Sequence, residues 1–113
     1  MLPPEIAQLG VAAPGLPDDL VGWTAQSASR LFQALPGKTA IGRVVVFDRV
    51  QWGFEPSGDE WHPFRRRNES ATDFAIRSRR EARSWVENFP RNEVLFVIDF
   101  DDQSEAAEGV GPA

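Results

Sequence analysis

Two periods of apolar residues alternate along this chain. Val21, Ala25, Ala28, Phe32 and Leu35 recur every three or four positions with Leu31 beside them, the stripe of an amphipathic helix. Pro17-Asp18-Asp19 suits a helix start and Pro36-Gly37 a stop, so the pattern predicts a helix from Pro17 to about Leu35. Trp23 falls off the stripe, where its ring is either covered by the N-terminal residues or left to a partner.

From Ile41 the period shortens. Val44, Val45, Val46 and Phe47 are apolar on both alternating faces, as a central strand requires, and the segment runs on to Trp52-Gly53-Phe54. Glu55-Pro56-Ser57-Gly58-Asp59 has turn composition, and Glu60 to Phe64 reads as the returning strand of a hairpin. In that register Phe54 faces Trp61 and Trp52 faces Pro63, and Pro63 belongs at an edge. After the polar connection 65–71, Asp73 to Arg77 reads as a short strand. Ser78-Arg79-Arg80-Glu81 has the spacing of a capping box, opening a helix with Ala82, Trp85, Val86 and Phe89 on one face and Pro90 as its stop. Glu93 to Phe100 reads as a second central strand. Strand, helix and strand in this order predict a C-terminal βαβ unit with a right-handed crossover.

The expected fold is therefore α/β or α+β: a two-layer sandwich with a mixed sheet of about four strands and two helices. Residues 1–16 read as a loosely held N-terminal arm, 17–100 as a single globular domain, and 101–113 as a disordered acidic tail.

Composition narrows the class. A chain of 113 residues has room for one core. It has no cysteine, which excludes disulfides and thiolate metal ligands, and neither a signal-peptide pattern nor an unbroken apolar run of spanning length, so a cytoplasmic, non-membrane protein is expected. The net charge of −5 is unevenly spread: residues 1–98 hold equal numbers of acidic and basic side chains, and the excess is Asp99, Asp101, Asp102, Glu105 and Glu108. Between Arg65 and Arg91, eight arginines face only Glu69, Asp73, Glu81 and Glu87, so the body is electrically polar.

Candidate chemistry is sparse. Asp48 and Asp99 to Asp102 follow apolar strands and are the one combination that suggests a magnesium site. Val97-Ile98-Asp99-Phe100-Asp101 resembles the nucleophile motif of haloacid-dehalogenase-type phosphatases, which would imply phosphoryl transfer on Asp99. The threonine of that motif and the long catalytic domain after it are missing, which leaves solvated carboxylates at a strand end. His62 is the only histidine and has no cysteine to complete a metal site, and no Gly-x-Ser-x-Gly elbow is present. Gly37-Lys38-Thr39 lacks the earlier glycine of a phosphate loop. No catalytic, metal or cofactor-binding residue is assigned, and the expectation is a non-enzyme without cofactor.

The arginines carry the functional expectation. Arg79 and Arg80 fall in the first turn of the expected helix, where each positive charge opposes the dipole at about 0.3–1 kcal/mol. Arg77 and Arg65 to Arg67 lie near enough in sequence to complete an anion site for a partner's carboxylates, a nucleic-acid phosphate or the chain's own acidic tail. Trp52, Phe54, Trp61 and Phe64 beside arginines form the composition of a protein-interface hot spot. They also suit stacking on single-stranded bases, which a neutral body and an acidic tail oppose. Glu5 to Gly10 with Leu16-Pro17-Asp18-Asp19-Leu20 resembles the opening of SUKH-type bacterial immunity domains. No later residue matches, and no family is assigned.

The sequence thus points to a non-enzymatic protein-binding module, a small bacterial or phage inhibitor, immunity or accessory protein that occludes a partner protein. Its contact residues are expected to be Trp52, Trp61, Arg66, Arg79 and Arg80. A nucleic-acid-binding regulator using the arginine and aromatic patch is the alternative, and a small metal-dependent phosphotransferase or nuclease the third reading.

Overall fold

Six elements follow one another: α1 (Pro4–Ala7), α2 (Ala25–Ala34), β1 (Thr39–Val50), β2 (Gly53–Trp61), α3 (Ala71–Glu87) and β3 (Val94–Asp102). The structure is a computed structural model that describes residues 2–17 and 20–102. β1 is the richest in β-branched residues and takes the centre of a three-stranded sheet of order β2-β1-β3, antiparallel to both neighbours. The fold is thus α+β, with an antiparallel sheet of three strands rather than a mixed sheet of about four.

Both faces of the sheet are covered. On one, Val44 and Val46 of β1 and Phe96 and Ile98 of β3 pack against Ala28, Leu31 and Phe32 of α2 and Ala82 and Val86 of α3. On the other, Phe47, Leu95 and Val97 pack against Leu16, with Ala13 alongside. The N-terminal segment therefore acts as a strap across the second face. Phe54 donates its N–H to the Pro14 carbonyl at 2.9 Å on the β2 edge, and Trp23 and Phe96 exchange N–H···O bonds of 2.8 Å on the β3 edge. The strap passes so close to β2 that a Cβ at Gly15 would strike the Phe54 carbonyl oxygen; Gly15 has φ +95°. The arm expected to be loosely held places Ile6 and Leu16 in the interior.

Sheet-edge pairing also shortens the first long helix. The helix expected from Pro17 begins only at Ala25, capped by Thr24, whose hydroxyl accepts the Ser27 N–H at 3.1 Å. Gly22 and Trp23 instead pair in extended conformation with Val11 and Phe96, and Asp18 and Asp19 lie outside the described residues. Trp23 is buried in the core, whereas Val21 and Ala25 of the expected stripe are exposed.

The hairpin turns at Gln51 and Trp52, not at residues 55–59. Its register sets Arg49 opposite Phe54 and Val44 opposite Trp61, so the expected Phe54–Trp61 and Trp52–Pro63 pairs do not form. Pro56 to Asp59 lie inside β2, where a register shift between Val45 and Phe47 takes up the excess length. Gly58 provides φ +92° there, and the Ser57 hydroxyl accepts the Asp59 N–H at 3.0 Å. An edge strand tolerates this proline and this bulge; a central one does not.

The largest correction concerns residues 71–81. The expected strand at 73–77 and the expected cap at Ser78 both lie within α3, which starts one full segment earlier at a cap by Ser70 on the Asp73 N–H, 3.0 Å. Ser78 is a buried mid-helix residue that accepts the Ile41 N–H at 3.0 Å and donates to the Ala75 carbonyl at 3.1 Å. With that strand gone, α3 joins β2 to β3. These two run in the same direction because each is antiparallel to β1, so a crossover exists, but β1 separates its strands. Asp101 and Asp102, assigned to the tail, continue β3; residues 103–113 lie outside the described residues. Among the described residues no helix is long and apolar enough to cross a membrane.

Candidate functional site

The eight arginines between Arg65 and Arg91 do not form one patch; most are occupied individually. Arg77 is buried on α3, and its guanidinium meets Glu69 through two parallel bonds, Nε to Oε2 and Nη2 to Oε1, both 2.8 Å. Its remaining reach goes to Glu81 Oε1 at 3.0 Å and to the Phe64 carbonyl at 2.7 Å. Glu69 also accepts the Arg66 backbone N–H at 2.9 Å, and its own carbonyl accepts from Arg65 Nε at 3.1 Å. The side chains of Arg77 and Glu69 each keep only 9% of their surface exposed.

This pair clamps the loop between β2 and α3. Within the loop the Glu69 N–H donates to the Arg66 carbonyl at 3.1 Å, closing a turn in which Asn68 adopts φ 67°. Asparagine is among the residues that accept this left-handed conformation most readily. Charge sharing with Arg77, and secondarily the Arg66 N–H, pushes the Glu69 carboxyl down from its ordinary 4.5 to about 2. Burial opposes that shift without reversing it.

The clamp holds out an aromatic ring and two guanidinium groups. Phe64 is 76% exposed, the most open large apolar side chain among the described residues, with the His62 ring edge-on at 5.0 Å. Arg66 and Arg67 are exposed on the same loop. Trp61, just before it, is half-buried against the core.

The other expected contact residues are dispersed. Trp52 is 61% exposed but sits at the opposite end of the hairpin, about 20 Å from Trp61 at 3.3 Å per strand residue. Arg79 is not in a first helical turn. Its guanidinium donates to the Leu35, Pro36 and Gly37 carbonyls at 2.9, 3.1 and 3.3 Å, where the chain leaves α2. Arg80 is exposed on α3, also well inside the helix. The dipole conflict that singled out this pair therefore does not exist.

Arg83 and Arg91 are paired with acids. Arg83 holds Glu87 at 2.8 Å, and Arg91 bridges Asp48 at 3.0 Å and Asp59 at 2.8 Å while lying over the Phe89 ring. Asp99 pairs with Arg43 at 3.0 Å, five sheet positions from Asp48, so the two carboxylate groups do not meet. No group of three or more His, Cys, Asp or Glu among the described residues is placed to hold a metal ion. A shallow groove of about 470 Å³ beside Trp85 and Phe89 contains Arg91 and Asp59, already bonded to each other.

Comparison with known proteins adds no relative: no family model, curated protein or solved structure matches this chain. The clamp itself escaped the sequence reading. Its signal was the Ser70-x-x-Asp73 cap: once α3 starts there, Arg77 falls within the helix and Glu69 immediately before it.

Proposed function

We propose that this chain is a non-enzymatic protein-binding module that docks through the clamped loop and acts by occluding its partner. The observation that carries the reading is the buried Arg77–Glu69 pair, which is used to order a surface loop. Removing two charges from water is costly, and apolar side chains of similar volume generally stabilise a core as well or better. What the pair provides is a loop fixed before binding, which lowers the entropy lost on association. Phe64 then enters an apolar pocket of the partner and Arg66 and Arg67 meet carboxylates around it.

The test is capture by the tagged protein from cells that encode it, with and without nuclease. The comparison is the variant Phe64→Ser, Arg66→Glu, Arg67→Glu. A protein that survives nuclease and is lost in the variant, with the melting temperature unchanged, supports the reading. Loss on nuclease treatment would favour the nucleic-acid alternative, for which Phe64 and the two arginines are also chemically suited. Capture unaffected by the variant would remove the loop from consideration.

A further inference from the structure

Four stretches of sheet edge decide what a neighbouring chain can pair with, and three are closed. At the turn end of β2 the Phe54 N–H is taken by Pro14. The rest of β2 is blunted by Pro56, by the bulge at Gly58, and by Glu55, Asp59 and Glu60, devices that keep edges from pairing. Near the start of β3, Phe96 exchanges both backbone bonds with Trp23. Outward groups alternate along an antiparallel strand, so Ile98 and Phe100 direct their N–H and C=O groups to the same side as Phe96. Among the described residues nothing pairs with them there.

We propose that the outer edge of β3 from Ile98 to Asp102 accepts an added strand from a basic, extended segment of a partner protein, a surface separate from the clamped loop. Main-chain bonds to Ile98 and Phe100 supply the attachment, and side-chain alternation supplies the selectivity. Phe100, 45% exposed, lies on the face of Ile98 and asks for an apolar neighbour. Asp99 and Asp101 lie on the opposite face; Asp99 is met by Arg43 of β1, and Asp101 asks for a lysine or arginine on the added strand. A second copy of this chain is the wrong occupant. Antiparallel self-pairing centred on Phe100 sets Asp99 against Asp101 twice, and centring on Asp99 sets that carboxylate against itself, and like charges directly opposite oppose pairing.

The probe is a blocked heptapeptide alternating arginine with valine, titrated into the isotope-labelled full chain and followed by amide NMR. Binding with a Kd below about 1 mM is expected, with slowed hydrogen exchange at the Ile98 and Phe100 amides. The same peptide N-methylated at alternate residues should not bind. Asp101→Lys should shift preference toward a glutamate–valine heptapeptide by about tenfold or more, a comparison between peptides that does not depend on the variant's stability. The proposal is overturned if binding leaves exchange at Ile98 and Phe100 unchanged, or if acidic and basic peptides bind the natural chain equally. Protection of both amides in the peptide-free protein, rising with its concentration, would overturn it in favour of a second copy.

Discussion

The two ends of the β1–β2 hairpin each expose an aromatic ring and hold it by different means. At the turn, Trp52 sits where the strap crosses β2: Pro14 accepts the Phe54 N–H, Gly15 lies on the Phe54 carbonyl, and Gly53 lies against Pro14. At the other end, Phe64 sits on a loop fixed by the Arg77–Glu69 pair. Backbone contact of the first kind depends on missing Cβ atoms and on no ionisable group. Side-chain clamping of the second kind tolerates backbone substitution and responds to protons. One hairpin thus carries a rigid end and an end whose rigidity depends on charge.

The largest expected effect breaks the first half of this contrast. Gly15→Ala puts a Cβ onto a backbone carbonyl at φ +95°, where neither partner is a flexible side chain. Strain and overpacking together should cost about 3 kcal/mol, and the melting temperature should fall by more than about 10 °C in a domain of this size. Circular dichroism on heating measures it. An unchanged melting temperature would show that the strap does not seat on β2, and the distinction between the ends would lose its basis.

The middle effect tests the division of labour among neighbouring arginines. Arg79→Glu removes donors from the Leu35, Pro36 and Gly37 carbonyls and sets a carboxylate near the end of α2, for a loss of about 2 kcal/mol. Arg80→Glu, on the exposed face of α3, should change stability by less than about 0.5 kcal/mol. Denaturant unfolding of the two single variants separates them. If both raised stability, α3 would begin at Ser78 and not at Ser70.

That alternative is where local sequence signals and the fold part company. Val44 to Phe47 and Leu95 to Ile98 were legible as strands because runs apolar on both faces have few other uses. The C-terminal half of α3 was legible from Ala82, Val86 and the stop at Pro90. Ser78-x-x-Glu81 matches a capping box better than Ser70-x-x-Asp73 does, yet a cap requires a helix end, and Ala75, Ser78 and Ala82 already face β1 at helical spacing. Turn composition at Pro56 to Asp59 misled for a related reason. A bulge and a turn need the same residues, and only the register with β1 decides between them. Of the expected site, Arg66 and the neighbouring Phe64 lie on the clamped loop, while Trp52 and Arg79 were separated from it by long-range pairing that no local window contains. Glu69 went unnoticed because its partner Arg77 was assigned to a strand.

The smallest expected effect concerns protons at the clamped end. Arg77, then the Arg66 N–H, holds the Glu69 carboxyl near 2 against 4.5 for the unpaired group, so the folded chain favours the ionised form. Its stabilisation is fully present above pH 4.5 and is lost progressively as the pH falls toward 2. At pH 4 only a small part should be missing. A global melt is a poor reporter, because Arg91 lowers Asp59 and Arg83 lowers Glu87, which adds acid sensitivity elsewhere. The Arg66 amide, bonded to Glu69, is the local reporter, and the Phe54 amide, bonded to Pro14, is its control at the other end. Corrected for intrinsic exchange, Arg66 protection should decline between pH 4.5 and 2 while Phe54 protection holds until the whole domain unfolds. In Glu69→Gln the Arg66 amide should start less protected and lose the acid-dependent step. Parallel loss at both amides would mean that the loop opens only with global unfolding, and the two ends of the hairpin would then be held as one.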